Sequence, residues 1–391
     1  MKEGWREKPF GEVCEVVGGS QPPKKHFVFE PQHGYVRLVQ VRDYKTDKYK
    51  TYIPEDKTKK FCNSEDIMIG RYGPPIFGIF EGIQGAYNVA LMKAIPDEKI
   101  LNREFFKHFL KTSHLVSFVE KSSKRAAGQD GVRKDILYTY PVPLPPLAEQ
   151  EEIVKVLDKA FTAIDQARAN LEQNIANAQE LFQSKLNQIF SQKGEGWVET
   201  TLESVCDFQN GFTFKSAKFR NKGIPILRIS NIQNDQIDLR KIVYTDPTDY
   251  KEDLERYRIV KGDLMIAMSG ATTGKIGINH TDTEFFLNQR VGKFSPKQEL
   301  HKKFLYFFLL TKVEENLSIS AGAAQPNLST SQIKAFKMFL PSLEEQNVIT
   351  QKLNTLSAQT HALESHYQTK LAALDELKKS ILQKAFAGEL T

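Results

Sequence analysis

The residues of this chain that come nearest to phosphate chemistry are two glycines and a lysine in Ser269-Gly-Ala-Thr-Thr-Gly-Lys-Ile-Gly277. A nucleotide loop places four residues between its glycines so that the backbone wraps a phosphate, and follows its lysine with a hydroxyl for Mg²⁺. Here three residues separate Gly270 from Gly274, and Ile276 stands where Ser or Thr is required. The spacing therefore argues against an ATPase, and no ATP binding is expected. No other catalytic constellation stands out. No Asp/Asn/Ser-Pro-Pro-aromatic motif and no glycine-rich cofactor loop follows a strand, and Pro96-Asp97 lacks the acidic-x-Lys of a nuclease site. The histidines show neither His-Glu-x-x-His spacing nor a neighbouring cysteine cluster, so no metal is expected. His26, His33, His108 and His114 read as surface or loop residues. Nothing marks a nucleophile elbow, and no catalytic residue is assigned.

What remains is binding chemistry. In the first half of the chain, cations alternate with aromatics and short polar side chains at Lys25, Arg37, Arg42, Lys45, Lys48-Tyr-Lys50, Arg71-Tyr72, Lys124 and Arg125. In the second half the corresponding set is Lys215, Lys218, Arg220, Arg228, Ser269, Thr272, Lys275 and Arg290. Lys and Arg contact phosphates, and Arg, Ser and Thr also read base edges, so these residues are candidates for contacting double-stranded DNA. The net charge is +6; residues 147–192 carry −3 and 343–390 carry −1, which leaves +10 on the remainder. That distribution suits a polyanionic partner.

These residues belong to a sequence written twice. Trp5-Arg-Glu-Lys-Pro-Phe-Gly-Glu-Val-Cys14 returns as Trp197-Val-Glu-Thr-Thr-Leu-Glu-Ser-Val-Cys206. Glu65-Asp-Ile-Met-Ile69 returns as Gly262-Asp-Leu-Met-Ile266, and Leu144-Pro-Pro-Leu-Ala-Glu-Gln150 as Leu340-Pro-Ser-Leu-Glu-Glu-Gln346. A unit of roughly 195 residues has been duplicated in tandem. Each copy opens with a mixed segment of strands, turns and aromatics, residues 1–146 and 193–342. Each then enters a long helix, residues 147–192 and 343–391, through a proline-containing start; Ser342-Leu-Glu-Glu345 has the form of a capping box.

Apolar residues recur near heptad spacing at Leu157, Phe161, Ile164, Leu171, Ile175, Ala178 and Phe182. They recur again at Ile349, Leu353, Leu356, Thr360, Leu363, Tyr367, Leu371 and Leu374. About 45 residues at ~1.5 Å each make a rod of about 65–70 Å. Two such stripes bury each other most economically as an antiparallel pair, which predicts a dumb-bell with approximate two-fold symmetry. The fold class expected is α+β: two mixed α/β domains joined by a long antiparallel coiled coil. The start of the chain lacks the apolar run of a signal peptide, and no stretch approaches the ~20 apolar residues that span a bilayer. Cys14, Cys62 and Cys206 read as buried thiols in a reducing cytoplasm.

The repeated Leu-Pro-x-Leu-x-Glu-Gln segments, each heading a long helix, resemble the DNA-specificity subunits of type I restriction–modification systems. The resemblance runs through the two Trp openings, the strand–turn segment around Ser269–Gly277, and Ala323-Ala-Gln-Pro-Asn-Leu-Ser329. The first copy departs from it at Gly128-Gln-Asp-Gly-Val-Arg133 and at Phe77-Gly78. The resemblance implies two target-recognition domains reading the halves of a bipartite, asymmetric DNA sequence. It also implies that the helices and their flanks dock two methyltransferase subunits and restriction/translocase subunits, for which Glu149, Gln150, Glu345 and Gln346 are candidates. S-adenosylmethionine, ATP and Mg²⁺ would then be used by those partners, with no cofactor bound by this chain. The competing expectation is an adaptor without DNA, a coiled coil joining two protein-binding domains.

Overall fold

The computed structural model describes residues 2–73, 76–124, 130–233, 236–320 and 327–390, with backbone only at 271 and 313–320. The chain divides into two compact units, Met1–Leu171 with Gln368–Thr391, and Glu172–Tyr367. The long helices Leu147–Ser191 and Leu343–Ala387 therefore each contribute to both units.

In the first unit a two-stranded ribbon pairs Arg6–Pro9 with Pro141–Leu144. One antiparallel sheet has the order Cys14–Gly18, Leu91–Pro96, Ile67–Gly70, Ile79–Phe80. A second has the order Tyr52–Pro54, Tyr35–Val39, Gly85–Tyr87, Phe61–Cys62, with a single parallel pairing between its two inner strands. The second unit repeats this plan strand for strand. Val198–Thr201 pairs with Lys337–Leu340. The two sheets become Cys206–Asn210, Val291–Pro296, Leu264–Ala267, Ile276–Ile278, and Val243–Thr245, Ile224–Leu227, Phe285–Leu287, Arg258–Ile259. Register is kept as well: Cys14 faces Pro96 as Cys206 faces Pro296, and Leu38 faces Ala86 as Ile226 faces Phe286.

The repeated motifs have physical causes. Ile67–Gly70 and Leu264–Ala267 are buried at every position, which is why they read as unbroken apolar runs rather than alternations. The aspartate ahead of each run accepts from a lysine on the adjoining strand, Asp66 from Lys93 at 3.1 Å and Asp263 from Lys293 at 2.7 Å. Each lysine also donates to a backbone carbonyl, of Phe61 or Arg258, so one polar clip ties three strands in either copy. Gly19 and Gly211 are a duplicated close approach: a Cβ on Gly19 would lie 2.0 Å from the Asn88 carbonyl oxygen, and one on Gly211 2.2 Å from that of Leu287.

The long helices pack antiparallel. In the first unit, Asp165 pairs with Lys378 and Arg168 with Asp375, so one helix ascends as the other descends. There Ile153, Leu157, Phe161 and Ile164 share a core with Leu382 and Ala385, and Phe386 packs on Phe105 at 4.8 Å. In the second unit Leu186 and Leu353 close around Phe307, flanked by Phe182 and Ile349. Burying such side chains contributes about 1.5–3 kcal/mol each. The apolar stripe differs from expectation at Leu363, which is exposed; a straight 3.6-residue helix carries it outward, and the buried line passes through Thr360 and Leu371. The three cysteines are buried and free, and burial raises their thiols, Cys62 to about 11 and Cys14 and Cys206 to about 12.

His108 corrects the expectation of a surface histidine. It is buried on helix Arg103–Phe109, with Nε2 2.9 Å from Asp158 Oδ1. Burial holds its pKa below the usual imidazole value of 6.5, outweighing the raising effect of Asp158. The unfolded chain therefore takes up this proton first as pH falls, so His108 costs stability below about pH 6.5. The melting midpoint should drop on acidification from pH 7 to below 6, and His108→Gln should flatten that dependence; an unchanged pH profile contradicts the assignment. Gly211→Ala should cost about 1–3 kcal/mol through overpacking. Gly18→Ala, whose Cβ meets nothing within 4 Å, should melt as the parent does.

Candidate nucleic-acid interface

The segment that resembles a phosphate loop is a strand–turn–strand element. Leu264–Ala267 leads through a short turn at Gly270–Thr272 into Ile276–Ile278. Gly270 and Gly274 take left-handed φ angles of 77° and 82°. The first unit has the same turn: Gly73 has φ 92°, and Phe77 stands at φ 64°, the one non-glycine residue of positive φ among those described. The closing hydrogen bonds also correspond, Gly274 N to Ala267 O at 2.8 Å and Phe77 N to Gly70 O at 3.0 Å. Phe77 bears the strain of this conformation while its side chain is buried in the core. Gly78 replaces Lys275, and a Cβ there would meet the Phe80 ring at 2.6 Å. The turn is thus common scaffold, and Lys275 is a side chain displayed on one copy only.

Around that turn the second unit gathers several of the candidate residues. Lys275 Nζ donates to Gln233 Oε1 at 2.7 Å, and Thr272 Oγ1 to the Ile229 carbonyl at 3.0 Å. Arg228, next to Ile229, donates to the Lys241 carbonyl at 2.7 Å and lies over the Phe219 ring. Ser269 forms a backbone bridge to Asn327. Lys218 and Arg220 form a separate group: Lys218 donates to the Asp249 carbonyl and covers the Tyr250 ring at 4.4 Å. Arg220 grips Asp249 with bonds of 2.7 and 2.8 Å and reaches Asp246 at 3.2 Å. Lys215 and Arg290 are exposed.

In the first unit, Arg37 pairs with Asp47 at 3.1 Å and lies 3.8 Å from the buried Asp43. Burial raises the Asp43 carboxyl above its ordinary range despite Arg37 and Arg42. Arg42 donates to the Tyr49 carbonyl and Thr51 Oγ1 at 3.3 and 3.2 Å. Arg71 lies 5.0 Å over Tyr72, and its carbonyl accepts from Val132 N, as the Met268 carbonyl accepts from Leu328 N. The backbone of Gly131-Val132 thus does what Asn327-Leu328 does, although the first copy lacks the Gln-Pro-Asn-Leu form. Lys25, Lys45 and Lys124 are exposed. Arg125, with Gly128, Gln129 and 323–326, lies outside the described residues. Sequence reasoning passed over Gln233, which carries no motif, and over the aspartates that hold Arg37 and Arg220.

The Glu-Gln pairs prove to be joints. Gln150 is fully buried: its Nε2 donates to the carbonyls of Ile100 and Pro145, both at 2.9 Å, and its Oε1 accepts from Asn102 N at 2.7 Å. Gln346 repeats this with the carbonyls of Glu299 and Pro341 at 2.9 and 3.0 Å and with His301 N at 2.8 Å. Inside the fold, the two amides offer no surface to a docking partner, which corrects that expectation for Gln150 and Gln346. Glu149 pairs with Lys2 at 2.7 Å, whereas Glu345 accepts from Trp197 Nε1 at 2.9 Å. Ser342 caps the second helix by accepting from Glu345 N at 3.2 Å, but the Glu345 carboxylate goes to the tryptophan instead of completing a capping box. Among the described residues no three His, Cys, Asp or Glu gather as a metal site, and no helix is long and apolar enough to cross a membrane.

The family described as type I restriction modification DNA specificity domain matches this chain twice, over residues 2–176 and 194–373. The chain belongs to that family. Specificity subunits of similar sequence include those of the type I restriction enzymes MjaVIII from Methanocaldococcus jannaschii, 26% identical over all of this chain and 94% of the relative, and EcoBI from Escherichia coli, 27% identical over all of this chain and 87% of the relative. Among solved structures, a chain from a study of type I R-M complex assembly and conformational transition has the same fold, with TM-score 0.79 at 20% identity over 100% of this chain and 99% of that one. The HsdS subunit of Thermoanaerobacter tengcongensis shares it at TM-score 0.57 and 20% identity, over 100% and 98%. As a specificity subunit, this protein is the non-catalytic part of a restriction–modification enzyme.

The joint makes a direct prediction. Gln346→Leu leaves one buried N–H and two carbonyls unpartnered and should cost about 3 kcal/mol, read as a lowered denaturation midpoint. Glu149→Ala, at an ion pair that is partly exposed, should cost less, about 1 kcal/mol. Equal losses would contradict the role given to the amide.

Proposed function

We propose that this specificity subunit reads a bipartite, asymmetric sequence in double-stranded DNA, with residues 1–146 reading one half and 193–342 the other. The observation that carries this reading is a frame duplicated to the level of strand register, on which the displayed side chains differ: Lys275 against Gly78, Arg228 against Gln40. Two equal frames with unequal side chains suit two unequal half-sites. In this reading the paired helices 147–192 and 343–391 set the length of the unread spacer. Lys25, Arg37, Arg42, Lys45, Arg71, Lys124 and Arg125 contact the first half-site. Lys215, Lys218, Arg220, Arg228, Ser269, Thr272, Lys275 and Arg290 contact the second. Many of the described cations are already fixed by aspartates, carbonyls or rings, and a side chain held in one geometry reads a base edge with less loss of entropy than a free one.

The helices and their flanks dock two methyltransferase subunits and the restriction/translocase subunits in the cytoplasm, with Glu149 and Glu345 at the helix starts as the accessible members of the repeated motif. S-adenosylmethionine, ATP and Mg²⁺ serve those partners. The test is an exchange: replacing residues 1–146 with the first domain of another specificity subunit should change one half of the methylated motif and leave the other half and the spacer length intact. A change in both halves, or in neither, overturns the assignment.

A further inference from the structure

Phe29 exposes 70% of its surface, the most of any large apolar side chain among the described residues. It does not sit on a loose loop. Its neighbour Val28 exchanges both backbone hydrogen bonds with Tyr52, at 3.0 and 2.8 Å, so the ring is presented from a segment anchored on a sheet strand. Phe29 lines an open cleft of about 510 Å³ together with Tyr49, which is 50% exposed, and with Arg42, Lys48 and Lys50. Arg42 and Lys48 lie over the Tyr49 ring at 5.7 and 5.5 Å. Residues 24–50 carry seven Lys and Arg against three Asp and Glu. Asp43 is buried, Asp47 pairs with Arg37 and Lys50, each at 3.1 Å, and Glu30 lines the cleft beside Phe29, so the cations keep a clear excess. The surface around the exposed ring is therefore positive.

An anchored apolar ring within a field of cations fits a polyanion that also offers flat apolar faces, which describes stacked bases between phosphates. The second unit keeps the anchored segment, with Arg220 exchanging both backbone hydrogen bonds with Tyr244 at 2.9 and 3.1 Å, but the polar Asn221 follows it where Phe29 follows Val28. Resting on the reading that the first unit faces DNA, we propose that Phe29 wedges into a base step of the first half-site and unstacks it, with Lys48, Lys50 and Arg42 on the flanking phosphates. The contact is thereby confined to one half of the target.

The experiment uses the full chain assembled with its methyltransferase subunits and target duplexes carrying 2-aminopurine at successive positions of the first half-site. The parent complex should brighten one step several-fold. Phe29→Ala should abolish that signal and weaken binding roughly tenfold without altering the salt dependence. Phe29→Leu should keep part of the signal, and Lys48→Gln should lower the salt slope by about one while leaving the signal unchanged. Specific binding by the parent complex with no brightened step, or full brightening by Phe29→Ala, overturns the wedge alone. Loss of subunit assembly in Phe29→Ala also overturns it, by placing the ring against protein. Failure of the parent complex to prefer its target over scrambled DNA defeats the reading beneath it instead.

Discussion

A glutamine amide removed from water at the head of each long helix fixes that helix to the sheets it serves. Gln150 and Gln346 each satisfy one N–H and two carbonyls, from the chain entering the helix and from the turn that leads into helix Arg103–Phe109 or Lys302–Ser320. Within a dry interior such groups are costly to leave unpaired, so the joint has one favourable geometry and a steep penalty for leaving it. Reading base edges demands placement to a fraction of an ångström, and a mobile joint would blur it. The proline before each amide supplies an acceptor carbonyl while ending the strand that leads in. The repeated Pro and Glu-Gln of the sequence are in this sense one structural device, with only the glutamate facing outward.

The same economy separates frame from display. The glycines at 19 and 211 and the left-handed turns recur in both units because backbone geometry requires them, and the Asp–Lys clips recur because they tie the same three strands. Phe77 is informative because it keeps the turn at the cost of a conformation that disfavours any side chain, and burial of its ring offsets that cost. Lys275 and Arg228 are not repeated by the frame, and neither is the hairpin after Arg228, although its Ile232 is buried in the second unit's core. They differ between the copies, as expected where the partner rather than the fold constrains the residue.

Much of this frame was legible in the sequence. The tandem repeat, the helix starts at Leu147 and Leu343, and the buried strands Ile67–Gly70 and Leu264–Ala267 leave duplicated motifs, proline-led starts and short apolar runs that local reading detects. What escaped depends on contacts distant in sequence. A glutamine in a polar-looking helix start gives no sign that Asn102 or His301 will bury it. His108 looks like an ordinary helix residue until Asp158, fifty positions later, covers it. Leu363 fits a heptad but not the phase of a straight helix. The candidate cations were recognisable by type, whereas their aspartate and carbonyl partners, which decide how rigidly each is presented, were not.

If one chain reads two different half-sites with two copies of one frame, the methylated sequence must record both. Methylome sequencing of cells carrying the complete system tests it most directly. It should return a single methylated motif made of two unlike specific segments separated by a fixed run of unread bases. One continuous motif, or two identical halves, would contradict it.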